Sequence, residues 1–150
     1  MYKYVYGITA IILVALSLMV VEYVHASPIN KLEAQINVFR NEVAGLPFIG
    51  RSKAVDELTT KINANKGTTP EFVVGFLQDR GVYPTFIYLL TLDRAKAKEL
   101  KIEYFAGFSV APQFLKALTD KNVTKFGLSQ NKTHVTLIFI HEGLPPENHL

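Results

Sequence analysis

The feature that most constrains this chain is an uncharged apolar run at its amino terminus, residues 8–21, reading ITAIILVALSLMVV. Lys3 precedes the run and Glu22 ends it. Val24-His25-Ala26, followed by Ser27-Pro28, then has the small-x-small layout of a cleavage site. A positive start, an apolar stretch and such a site together make a secretory signal peptide. Counting Tyr4, Val5 and Tyr6 lengthens the stretch to about eighteen residues, the lower limit for crossing a bilayer. Tyrosines at both ends would suit the membrane–water interface. A cleaved leader and an uncleaved apolar helix acting as an anchor both remain open for residues 1–26. Either reading places residues 27–150 outside the cytoplasm: secreted, periplasmic, or membrane-anchored through residues 4–21.

Cysteine usage agrees with export. The 150 residues contain none, which excludes disulfide frameworks, thiol catalysis, cysteine–zinc sites and lipid attachment through cysteine. Lys3 and Glu22 cancel, so the exported part carries the whole chain's net charge of +3. That field is too weak to point to nucleic acid. An apolar content of 49%, with ten Phe and seven Tyr, is enough to build a core without metal or disulfide staples. Asn122-Val123-Thr124 and Asn131-Lys132-Thr133 match the N-glycosylation pattern; whether either is used depends on the host.

Along the exported part, residues 27–34 read as a spacer and residues 35–143 as one α+β domain. The tail, 144–150, reads as disordered. Gln35-Ile36-Asn37-Val38-Phe39-Arg40 alternates and predicts a half-buried strand, broken at Gly45-Leu46-Pro47. Residues 48–51 predict a short extended piece. Ser52 is a candidate N-cap before Val55, Leu58 and Ile62, a helical stripe closed by Asn65-Lys66-Gly67. Thr69-Pro70 predicts a second helix start, with Phe72, Val73, Phe76 and Leu77 as its buried face and Gly81 as its end. Residues 84–92 are almost wholly apolar and predict a central strand. Residues 102–110 predict another strand, Ala111-Pro112 a short helix through Leu118, and residues 134–141 the clearest strand in the chain. The expected architecture is an antiparallel sheet with helices packed on one face.

Chemistry-bearing residues are sparse. His134 and His141 bracket the last strand on opposite faces, which argues against a shared metal site. No phosphate loop and no Ser-centred elbow is present, and nothing assembles a nucleophile, a base and an orienting group. No catalytic residue, metal or cofactor is expected. Aromatic side chains instead crowd onto two segments, Tyr83, Phe86 and Tyr88, then Tyr104, Phe105 and Phe108. Phe86 and Tyr88 would share one strand face, and Tyr104 and Phe108 another. Such rings form either plain core or the walls of an apolar pocket, where Glu103 would attract a cation.

Residues 86–93 (FIYLLTLD), 97–100 (AKEL) and 103–110 (EYFAGFSV) resemble the GyrI-like small-molecule-binding domain. The later stretch ending Ile140-His141-Glu142-Gly143 is similar to that family's next strand. The resemblance spans about residues 55–143. It differs in Arg94, where the family usually has a proline, and in lacking the Trp and Glu of the hydrolase members. What it implies is binding rather than turnover, with Tyr88, Glu103, Tyr104 and Phe108 as the ligand-binding residues. Because that family is a duplicated unit, it also implies an incomplete sheet with an exposed last strand, an edge that invites pairing. Two functions follow as expectations. One is an exported, non-enzymatic domain that binds a small amphipathic or cationic ligand. The other is an envelope interaction module that pairs with a protein partner, or a second copy of itself, through the last strand.

Overall fold

The computed structural model describes residues 28–64, 68–94 and 111–145. The expected apolar leader, the strand at 102–110 and most of the tail lie outside the described residues. The elements are α1 (Pro28–Val38), running on as a π-helical turn (Phe39–Val43), β1 (Gly50–Arg51), α2 (Lys53–Asn63), α3 (Pro70–Gln78), β2 (Pro84–Asp93), α4 (Ala111–Leu118), β3 (Lys125–Gln130) and β4 (His134–Glu142). They divide between two compact units, Met1–Phe48 with Lys96–Asp120, and Ile49–Ala95 with Lys121–Leu150.

In the first unit, residues 35–40 are helical, where alternation predicted a strand. The buried side chains are Leu32, Gln35, Ile36, Phe39 and Arg40, steps of three and four that mark one helical stripe. Leu32 begins that stripe, so a window opened at Gln35 loses the helical period and keeps only an apparent alternation. The π turn closes with Ala44 N–H donating to Phe39 O. Gly45 then takes φ 67°, which a glycine adopts without steric cost. Arg40 is 1% exposed, and its Nη1 donates to the carbonyls of Ala117, Leu118 and Asp120 at 3.3, 3.3 and 3.1 Å. These are the end of α4, where carbonyls lack helical partners and the helix dipole is negative. Burial pulls the guanidinium below its ordinary pKa, and Asp120 opposes that pull.

The second unit is a four-stranded sheet in the order β1-β3-β4-β2. It is mostly antiparallel; only β1 and β3 run parallel. Local signals set its helices. The Ser52 hydroxyl accepts from Val55 N–H and the Thr69 hydroxyl from Phe72 N–H, which are N-caps. Past α3, Val82 N–H donates to Leu77 O and Gly81 N–H to Gln78 O, with Gly81 at φ 77°; this is a Schellman ending. Val55, Leu58, Val73, Phe76 and Leu77 pack with Val82, Ile138 and Ile140 into one cluster. Two helices thus cover the sheet face that carries Ile138 and Ile140.

Two placements differ from expectation. β2 ends the sheet order and β4 lies inside it, between β3 and β2. Among the described residues the last strand is hydrogen-bonded on both sides, to β2 and β3, where an exposed edge was the expectation. Burial shows the reason: Val135 to Ile140 is buried on both faces, whereas Phe86 and Leu89 of β2 are exposed. An apolar run marks an interior strand only when both faces are covered. The strand β3 was not expected at all. Its Gly127, flanked by single large residues, falls short of a strand signature, yet the position needs glycine because α2 lies against it.

Candidate functional site

Antiparallel register places Phe86 opposite His141 and Tyr88 opposite Phe139, so these side chains stand on one face. That face is opposite the one covered by α2 and α3. Phe86 and Tyr88 meet edge-on with ring centroids 4.8 Å apart. His141 lies 5.2 Å from Phe86 and 5.9 Å from Tyr88. Tyr88 is 8% exposed and Phe86 49%, so the cluster has a buried floor and an open rim. The backbone is tied beneath it: the Thr85 hydroxyl donates to His141 O at 3.3 Å, and Gly143 N–H donates to Tyr83 O at 2.7 Å. Aromatic faces held in this way attract flat and cationic groups.

Of the expected ligand-binding residues, Tyr88 belongs to this cluster, while Glu103, Tyr104 and Phe108 lie outside the described residues. His141, at the end of the last strand, is not among the expected ligand-binding residues. It reaches the cluster through strand register, which its local sequence does not encode. The opposite-face placement of the two strand histidines holds: His141 joins the aromatic cluster, and His134 lines a cleft on the helix-covered side. Glu142 pairs with Lys125, Nζ to Oε2 3.0 Å, and so ties β4 to β3. Among the described residues, no group of three or more His, Cys, Asp or Glu could hold a metal ion. Among the same residues, no helix is long and apolar enough to cross a membrane.

Both Arg94 and the Asn131 sequon have structural employment. Arg94 donates to the side chain of Gln130 and to Asn131 O. Asn131 donates through Nδ2 to Asn63 O at 2.9 Å, and its Oδ1 accepts from the backbone of Thr133 and His134. An Asn-x-Thr sequence in a tight turn is thus explained by the turn itself.

No family model and no curated protein matches the sequence. Solved structures with a similar fold include two from bacteria. One is a cysteine-rich secretory protein from Staphylococcus aureus subsp. aureus Mu50, with TM-score 0.62, 13% identity, and cover of 76% of this chain and 38% of that one. The other is an extracellular protein containing an SCP domain from Bacillus anthracis str. Ames, with TM-score 0.55, 13% identity, and cover of 75% and 39%. This chain therefore spans under two-fifths of the length of either. At that identity, what the three chains have in common is a backbone arrangement.

Proposed function

We propose that this chain is an exported, non-enzymatic domain that binds a small amphipathic or cationic ligand against Phe86, Tyr88 and His141. Tyr104 and Phe108 would add aromatic wall and Glu103 the charge. The observation that carries this reading is the cluster of three rings with a half-exposed Phe86 at its rim. The GyrI-like resemblance of residues 55–143 supports a binding role of the same kind. Export is supported by the leader's layout and by the descriptions of the two similar structures as secretory and extracellular proteins.

Titration with a flat cationic dye such as ethidium, followed by fluorescence anisotropy, tests the site. Saturable binding is expected, weakened about fivefold or more in Phe86→Ala, as a cation–aromatic contact implies. Glu103→Gln should weaken the cationic dye but not a neutral analogue. Binding unchanged in both variants would remove this face from the site. Intact mass of the secreted protein tests the leader: loss of residues 1–26 indicates cleavage, and their retention an anchor.

A further inference from the structure

On the helix-covered side of the sheet, Ile62, Asn63, Thr68, Leu89, Thr91, Thr133, His134 and Thr136 line a cleft of about 350 Å³. That volume lies at the lower end of small-ligand pockets, about 300–1,000 Å³. Its chemistry is unusual in one respect: among the described residues, four lining residues are threonines, one is asparagine, and none carries a fixed charge. Ile62 and Leu89 supply the large apolar surface among the described lining residues, and Leu89 is 42% exposed.

Hydrogen bonding sets the direction of the polar groups. The amide oxygen of Asn131 can only accept, and the Thr133 hydroxyl lies 3.0 Å from it, so that hydroxyl donates. The Thr133 oxygen then has only lone pairs for His134 Nδ1, which is 2.8 Å away. His134 Nδ1 therefore carries the proton, and in the neutral ring Nε2 is the acceptor. The same bonds oppose nucleophilic use of Thr133, whose proton points to Asn131 rather than to a base. Thr136 donates to Asn63 Oδ1 and is fully buried, so it forms the floor of the cleft. The hydroxyls of Thr68 and Thr91 bond to no other group among the described residues and can donate or accept.

We infer that this cleft is a binding site for a neutral, hydroxyl-rich ring, a monosaccharide unit. Its hydroxyls would donate to His134 Nε2 and exchange bonds with Thr68 and Thr91, while Ile62 and Leu89 meet its C–H face. Among the described residues the lining carries no fixed charge, which selects against acidic and basic sugars, because a charge drawn from water would meet no partner among them.

Titration of the full chain with N-acetylglucosamine, followed by amide chemical shifts, tests the inference. Glucuronate and glucosamine serve as the charged comparisons. Saturable shifts at Thr91 and residues 133–136 are expected, with millimolar affinity and at least fivefold weaker binding of either charged sugar. Thr91→Val should weaken binding about fivefold, the value of one neutral hydrogen bond. That exposed variant leaves the turn at Asn131 untouched, and His134→Ala should weaken binding further. Ring nitrogen shifts should show the Nδ1–H tautomer. No saturation at these residues, equal affinity for glucuronate, or a dominant Nε2–H tautomer would each overturn the assignment.

Discussion

A Cβ atom on Gly127 would lie 2.6 Å from the backbone nitrogen of Asp56. The neighbouring contacts, to Val55 C and Val55 Cγ1, are as close at 2.6 and 2.7 Å. Two of these three atoms are backbone, so relief requires α2 to move off the sheet. Gly127→Ala should therefore destabilise the protein by about 1–3 kcal/mol, the usual cost of overpacking. Urea denaturation would measure it; an unchanged midpoint would show that α2 can shift freely.

Asp56 completes that contact from the other side. Its Oδ1 accepts from Leu128 N–H at 2.9 Å, and its carboxylate pairs with Arg51 Nε at 2.9 Å. The ion pair is partly exposed and worth little, whereas the backbone donor needs a partner. Asp56→Ala should cost about 1–3 kcal/mol. Asp56→Asn, which keeps an acceptor, should cost under about 1 kcal/mol. Equal losses in the two variants would assign the stabilisation to the ion pair instead.

Arg40 joins two segments far apart in sequence by donating to three carbonyls at the end of α4. Arg40→Met fills similar volume but leaves those buried acceptors without their donor. A loss of about 3 kcal/mol is expected, with Arg40→Lys recovering part of it because an ammonium still donates. Protection of the amides of residues 111–120 from hydrogen exchange should fall in the methionine variant.

Asn63 ties α2 to two strands, donating to Ser129 Oγ at 2.8 Å and accepting from the buried Thr136 hydroxyl. Asn63→Leu should cost about 1–3 kcal/mol because the Thr136 hydroxyl loses its acceptor. Asn63→Asp should cost less, since it still accepts from Thr136 and the Ser129 hydroxyl can turn to donate. Thermal unfolding of the two variants side by side checks the order.

The candidate sites were legible in unequal measure. Shared placement of Phe86 and Tyr88 follows from the two-residue strand period, and both rings do meet. The arrival of His141 beside them depends on which β4 residue lies across from Phe86, a matter of register. The cleft draws its lining from α2, the residues before α3, β2, the turn before β4 and β4 itself, and no single stretch of sequence carries a signal for it.

What the sequence by itself determined is short-range. The caps at Ser52 and Thr69, the glycine ending at Gly81, and the extended character of residues 84–93 and 134–142 each rest on neighbours a few residues away. Tertiary structure decided the strand order, the interior position of β4, the existence of β3 and the helix over residues 35–38. Strand order depends on pairings between residues far apart in the chain, and local propensity has no term for them. Gly127 shows the reason most directly: its sequence context weakens a strand, and only the approach of α2 makes a glycine the residue that fits.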